Sequence, residues 1–147
     1  IIMTWSNDEK NIVELLNSTI DLFKNDNLIY EGKNYSSYDA HNQKYTCEIK
    51  KRNFESYHKY AKEGLILEKK KYDKLLEKAK LNNSEALYIN LFTDNKVFIW
   101  NLSELTKQEY NFNWHNMKMN KATFRSKWNK VEKQIALLKE DIIFVNE

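Results

Sequence analysis

Two apolar runs in the second half of the chain constrain its fold most strongly. Ala86–Phe92 and Val97–Leu102 are each long enough for a strand, and the polar residues 93–96 between them suit a hairpin turn. A third segment, Tyr45–Lys50, alternates apolar and polar residues as a half-buried strand does. With the short extended stretches that precede it, this segment predicts two or three strands before the central hairpin.

The remaining regular segments follow the 3.6-residue period of a helix. Helices are predicted over 6–25, 65–81 and 121–140. The last helix is expected to bury a stripe formed by Phe124, Trp128, Val131, Ile135 and Leu138. Residues 103–120 are expected to be irregular apart from a short helix at 103–107. This order of elements predicts one α/β domain over residues 1–147, with a mixed sheet and a C-terminal helix.

The composition excludes several classes of protein. With 41% hydrophobic and 14% aromatic residues, the chain is unlike a disordered protein. Two glycines and no proline exclude collagen-like chains and glycine-rich phosphate loops, and one cysteine excludes an internal disulfide or a four-cysteine zinc site. No apolar run approaches the roughly 18 residues of a membrane helix, and the first residues lack the basic start of a signal peptide. We therefore expect a cytoplasmic protein without a membrane partner.

The segment with the most chemical content is the predicted hairpin at residues 38–52. Glu48 and Lys50 are two residues apart on one strand, so both side chains project from the same face. If the chain turns at 43–44, Asp39 lies opposite Glu48 on the neighbouring strand. Two carboxylates and one ammonium group are then expected to converge.

This combination of groups suits the hydrolysis of a phosphodiester. Two carboxylates and a backbone carbonyl form part of an octahedron for Mg²⁺ or Mn²⁺, ions that keep several water ligands and also bind substrate phosphate. A lysine beside such an ion can orient or deprotonate a water molecule and neutralise developing charge. The alternative is a surface salt bridge of small energetic weight, which is what Glu-x-Lys usually means in a lysine-rich chain.

Asp39, followed after a hairpin by Glu48-Ile49-Lys50, resembles the Asp…(Asp/Glu)-x-Lys signature of the PD-(D/E)XK nuclease superfamily. The resemblance implies a restriction-endonuclease-like αβββαβ core, which the predicted elements match from residue 6 to 102. It also implies Mg²⁺-dependent cleavage of DNA, with Mn²⁺ as a substitute. In this reading Asp39, Glu48 and the backbone carbonyl of Ile49 are the metal ligands, and Lys50 is the catalytic lysine.

Further charged residues are candidates around this core. Tyr38 stands where many members of the superfamily have a proline before the aspartate. Glu14 of the first helix is a candidate acidic catalytic residue because many members place a glutamate there, and the alternative is a solvated helix side chain. The candidate DNA contacts are Lys51, Arg52, Lys70, Lys71, Lys118, Lys121 and Arg125. Lysine is the default polar residue of this chain, so a solvated surface is the alternative for the lysines.

The function that these residues predict is a Mg²⁺-dependent DNA endonuclease in a bacterial or phage-infected cell. A small nuclease with one site would cut both strands of a duplex as a homodimer. A non-catalytic DNA-binding or regulatory module that keeps the nuclease fold is the first alternative. An interaction protein whose charged cluster is only a surface network is the second, and binding of Mg²⁺ would separate it from the enzyme.

Overall fold

Helices and strands alternate along most of the chain. The computed structural model of the protein describes residues 9–32, 38–120, 130–139 and 144–145. Within these ranges the elements are, in chain order, α1 (Glu9–Thr19), β1 (Ile29–Tyr30), β2 (Ala40–His41), β3 (Tyr45–Lys51), α2 (Lys59–Glu63), β4 (Leu65–Glu68), α3 (Lys69–Leu81), β5 (Glu85–Leu91), β6 (Val97–Asn101), α4 (Leu102–Lys107), β7 (His115–Asn120), β8 (Lys130–Leu138) and β9 (Phe144–Val145).

The described strands form two sheets. The larger sheet has the order β1-β2-β3-β5-β6-β9, and the smaller one has the order β4-β8-β7. β3 and β5 are parallel, and their connection carries α3, since parallel neighbours need a long crossover. The other neighbours in both sheets are antiparallel. Ala40 lies opposite Cys47, which is the register predicted from a turn at residues 43–44.

Helices cover both faces of the larger sheet. On one face, Ile12 and Leu16 of α1 pack against β-strand residues that include Ile89. On the other face, α3, α4 and the smaller sheet share a core that contains Leu75 and the fully buried Trp100. Successive side chains of β3 and β5 therefore enter two different layers. Among the described residues, no helix is long and apolar enough to cross a membrane.

The α/β class with a mixed sheet is confirmed, and so are the central strands and the short helix after them. The first helix, predicted over 6–25, is seen as α1 with a short 3-10 helix at Asp21–Phe23 after it. The helix predicted over 65–81 is wrong in its first turn, because Leu65–Glu68 form strand β4. Leu65 and Leu67 are buried in this strand, and its backbone pairs with β8.

The prediction of a C-terminal helix is wrong wherever the structure describes this region. Lys130–Leu138 form strand β8, and residues 115–120, expected to be irregular, form its partner β7. Ile135 is buried as predicted, whereas Val131 is 38% exposed. Pairing with β7 over residues 130–135 and with β4 over residues 135–138 gives β8 strand partners along its length and overrides its helix-like apolar spacing. Residues 121–129, with Phe124 and Trp128, lie outside the described residues.

Candidate active site

Asp39 lies where β2 stops pairing with β3. Its backbone N–H donates to the Cys47 carbonyl at 2.8 Å, and its Oδ2 accepts the backbone N–H of Ile49 at 2.7 Å. The carboxylate thus takes the place of the strand that would otherwise pair with Ile49. The N–H and C=O of one strand residue point to the same side, so the Ile49 carbonyl faces the same edge as Asp39.

Glu48 brings a second carboxylate to this edge. The charge of Asp39 raises the pKa of Glu48, so the two carboxyls lie close together. The Nζ atom of Lys71, in the first turn of α3, lies 3.7 Å from Oε1 of Glu48. Lys50 projects from the same face of β3 as Glu48, in accordance with their two-residue spacing. The structure therefore brings Asp39, Glu48 and Lys50 together.

Both carboxyls resist ionisation. Burial raises the pKa of Asp39 to about 6; the charge of Glu9 acts in the same direction, and the hydrogen bond from Ile49 N–H opposes them. Burial, followed by the charge of Asp39, raises the pKa of Glu48 to about 7. The charge of Lys71 opposes both shifts without cancelling them. The positive charge near the two buried carboxyls is therefore too small to bring their pKa values back to the usual range.

Lys50 is also partly removed from water. Burial lowers the pKa of its ammonium group, and the neighbouring charges of Lys71 and Arg52 lower it further, whereas Glu68 and Glu48 act in the opposite direction. The side chains of Lys50, Lys71, Arg52, Glu68 and Glu48 all line a small cavity of about 70 Å³.

The wall of this cavity comes from both sheets. Ile66 of β4 and Met119 of β7 belong to the smaller sheet, and Tyr88 of β5 belongs to the larger one. Glu68, at the end of β4, places a second carboxylate beside that of Glu48 in the same wall and pairs with Lys133 of β8 at 3.0 Å. The smaller sheet therefore closes the Lys50 side of the site, and the Asp39 side is formed by the strand edge.

Arg52 connects the strands beneath the site. Its Nε donates to Oδ1 of Asn90 at 2.7 Å, and its Nη2 donates to the Ile66 carbonyl at 3.0 Å and to the Tyr88 hydroxyl at 3.1 Å. The Tyr88 hydroxyl donates in turn to the same carbonyl at 2.9 Å. Arg52 was predicted to contact DNA, but these bonds direct its guanidinium into the protein and tie β3 and β5 to β4.

The acidic residue of α1 that acts on the site is Glu9, in the first turn of that helix. Its charge raises the pKa of both Asp39 and Glu48. Glu14, the predicted candidate on this helix, is exposed and contributes to neither shift. A catalytic role for Glu14 therefore stays a prediction, and the helix residue whose charge acts on the two carboxyls is a different one.

The other predicted DNA contacts are distributed over several surfaces. Lys51 is half-buried and lies on the opposite face of β3 from Lys50. Lys71 reaches Glu48, whereas Lys70 lines a separate groove beside β8. Lys118 is exposed on β7. The remaining two, Lys121 and Arg125, lie outside the described residues.

The donor set of the site fits a hard cation with few protein ligands. Among the described residues, no three His, Cys, Asp or Glu side chains are grouped to hold a metal ion. Asp39, Glu48 and the Ile49 carbonyl would therefore be completed by oxygens from water or substrate, as is usual for Mg²⁺. The raised pKa values of the two carboxyls support this fit, because a cation between them would relieve their repulsion.

Comparisons with family models, with curated proteins and with solved structures give no match to this chain. The resemblance to the nuclease superfamily therefore rests on the residues and on the geometry of this site.

Proposed function

We propose that the chain is a metal-dependent endodeoxyribonuclease of the PD-(D/E)XK type. The observation that carries this proposal is the contact between the Asp39 and Glu48 carboxyls at the end of β2, with Lys50 on the same strand face. Of the two carboxylates, Glu48 lies 3.7 Å from Lys71, whereas Asp39 accepts the backbone N–H of Ile49, so a salt bridge does not account for the position of Asp39. Apart from α2 and from β4, which joins the smaller sheet, the elements from α1 to β5 are a helix, three strands, a helix and a strand, an order that supports the αβββαβ core of that superfamily.

Asp39, Glu48 and the Ile49 carbonyl would hold Mg²⁺, or Mn²⁺ in its place. When bound, the ion would supply positive charge to a scissile phosphate and lower the pKa of a water ligand. The protein holds the ligands in position before the ion arrives, because Ile49 N–H fixes Asp39 and the β-sheet fixes Glu48.

Lys50 and Lys71 supply the positive charge of the protein itself. Lys50 lies on the same strand face as Glu48, so its ammonium group can donate to an oxygen that gains charge during attack on phosphorus. A preorganised donor of this kind contributes roughly 10²–10³ in rate. Lys71 lies 3.7 Å from Glu48 and is placed to contact a phosphate that approaches the two carboxylates.

The test is cleavage of supercoiled plasmid with Mg²⁺, with Mn²⁺ and with EDTA, using proteins purified in parallel. We expect nicking by the wild type with either metal, and at least a hundredfold slower nicking by Lys50→Ala and by Asp39→Asn. The matched control is Lys44→Ala, which removes an exposed lysine just before the other end of β3. A Lys50→Ala protein as active as wild type would remove this lysine from the mechanism.

A wild-type protein that binds DNA but cuts no plasmid, linear duplex or branched DNA with either metal would contradict the nuclease proposal. That result would favour the non-catalytic DNA-binding module. A calorimetric titration with Mn²⁺ separates the roles of the two residues, because Asp39→Asn should lose metal binding while Lys50→Ala keeps it.

A further inference from the structure

Four aromatic rings contact one another beyond the ends of β3 and β5. Phe92, directly after β5, is fully buried, and its ring centroid lies 5.9 Å from that of the half-buried Phe54. The ring of Phe54 also lies 5.3 Å from that of His58 and 5.8 Å from that of Tyr60, and the last two rings are 4.7 Å apart. These four residues form the aromatic cluster, which begins in the core and ends at the surface.

The outer end of the aromatic cluster is open to solvent. Tyr60 is 53% exposed, and Tyr57, from the loop that leads into α2, is 66% exposed. No other Phe, Trp or Tyr is exposed in the part of the chain that the structure describes. The protein therefore leaves large aromatic surface uncovered at this one described place, where it is available to a planar ligand.

Hydrogen bonds hold the loop that carries the rings. The Asp94 carboxylate accepts the hydroxyl of Ser56 at 2.6 Å and the backbone N–H of the same residue at 3.2 Å. Nδ1 of His58 accepts the backbone N–H of Tyr60 at 3.2 Å and caps α2. The rings are thus in position before a ligand arrives, which lowers the entropic cost of binding one.

The aromatic cluster lies on the same side of the larger sheet as the candidate active site. Phe54 and Phe92 pack with the core that contains Tyr88, and Tyr88 is the register partner of Glu48 on the neighbouring parallel strand. Phe54 follows Lys50 by four residues, so their Cα atoms are at most about 14 Å apart. About four stacked nucleotides of one strand, at roughly 3.4 Å each, cover this distance.

Charged side chains surround the exposed rings. Lys59 and Lys62 of α2 are exposed, and Nζ of Lys59 lies 5.2 Å from the ring centroid of Tyr60. The exposed Glu55 and Glu63 belong to the same loop and helix, so the rings rather than the net charge distinguish this surface. A ring with a lysine beside it suits a nucleotide, because the base stacks on the ring and the phosphate accepts from the ammonium group.

We infer that the exposed end of the aromatic cluster stacks an unpaired base of a DNA strand, a few nucleotides from the phosphate held at the candidate active site. The inference rests on the proposed function in taking DNA as the substrate, and it specifies a substrate with unpaired nucleotides beside the cut. A base within a duplex shows only its edges in the grooves, whereas an unpaired base offers its face to a ring. Such stacking tolerates any sequence, because every base has a π face.

The experiment measures binding of the full chain in EDTA by fluorescence anisotropy at several salt concentrations. The probes are a labelled strand of about 16 nucleotides, a strand of the same length with abasic residues throughout, and a blunt duplex. The test variant is Tyr60→Leu, which removes the ring and keeps an apolar side chain of good helix propensity. The matched control is Tyr60→Phe, which keeps the ring. Unchanged urea midpoints would show that all three proteins are folded.

We expect the wild type to bind the strand at least fivefold more tightly than the abasic strand. Tyr60→Leu should lose at least fivefold in affinity for the strand at an unchanged salt slope, because stacking releases no counterions. Its affinity for the abasic strand and for the duplex should stay within twofold of wild type, and Tyr60→Phe should stay within twofold on every probe.

Three results would overturn the inference. The first is strand binding by Tyr60→Leu within twofold of wild type. The second is an equal loss on the abasic strand, which would assign the effect to the DNA backbone. The third is a wild-type dimer in sedimentation that Tyr60→Leu dissociates without any change in strand binding, which would make a second copy of the chain the occupant of this surface.

The same measurements separate this inference from the proposed function. A wild type that cuts DNA, together with a Tyr60→Leu protein that binds the strand normally, refutes only the role of the aromatic cluster. A wild type that cuts nothing, together with a Tyr60→Leu protein that loses strand binding, refutes only the nuclease.

Discussion

Asp39→Asn should stabilise the metal-free protein at alkaline pH. The change keeps the shape of the side chain and an oxygen that accepts the Ile49 N–H. It removes a carboxyl whose pKa burial raises to about 6 and whose charge, after burial, contributes to raising the pKa of Glu48 to about 7. Stability gained by removing an active-site charge is a known form of the trade-off between stability and function.

The sign follows from the direction of these shifts. The folded state holds its protons more tightly than the unfolded chain, so the free energy of unfolding falls as pH rises from about 4 to about 7. A carboxyl whose pKa is about two units higher in the folded state lowers the free energy of unfolding by roughly 3 kcal/mol at a pH where it is ionised in both the folded and the unfolded state. Because Asp39 and Glu48 share the effect, we expect Asp39→Asn to gain roughly 2 kcal/mol at pH 8 and less than about 1 kcal/mol at pH 4.

Urea unfolding in EDTA at the two pH values measures this difference. The exposed helix carboxyl Glu14 provides the control, and Glu14→Gln should change the free energy of unfolding by less than about 0.5 kcal/mol at either pH. Mg²⁺ at ten times its Kd should stabilise the wild type by about 1.4 kcal/mol and leave Asp39→Asn unchanged. An Asp39→Asn protein that is no more stable than wild type at pH 8 would refute the assigned repulsion.

Three further predictions concern stability and use urea unfolding. Ile135→Ala should lower the free energy of unfolding by about 2–4 kcal/mol, and Val131→Ala by less than about 0.5 kcal/mol, because only Ile135 is buried in β8. Equal losses would favour a helix in this region. Arg52→Ala should lower the free energy of unfolding by about 2–3 kcal/mol, since it removes three hydrogen bonds, including the one from Nε to Oδ1 of the buried Asn90, and a loss below 1 kcal/mol would contradict that role. Gly64→Ala should be destabilising by more than about 1 kcal/mol because φ is +121° and a Cβ would lie 2.7 Å from Cβ of Leu137; a neutral change would contradict this.

The central part of the site was predictable because it depends on short-range rules. A spacing of two residues on a strand places Glu48 and Lys50 on one face whatever the rest of the fold does. The polar turn at residues 43–44 fixes the register of β2 and β3, and with it the position of Asp39. These features need no knowledge of distant parts of the chain.

The rest depended on pairing between distant residues. Leu65–Glu68 and Ile135–Leu138 are nearly 70 residues apart in sequence, yet each forms a strand because the other is beside it. The spacing of Val131, Ile135 and Leu138 fits a helix, and nothing local contradicts it. Glu9 was missed for a similar reason, because its effect on the carboxyls depends on how α1 packs across the sheet rather than on its own sequence context.

The shortness of β2 explains why a reactive group can lie at this point of the sheet. β2 is two residues long and β3 is seven, so among the described residues no strand pairs with β3 from Ile49 onward on the side of β2. A longer β2 would pair with that edge through its own backbone and would leave no position for the side chain of Asp39. Because β2 begins only at Ala40, the Asp39 carboxylate accepts the Ile49 N–H, and the Ile49 carbonyl stays at the same edge. The fold thus places two carboxylates and a carbonyl together where β2 begins, which is the arrangement that the proposed cation site requires.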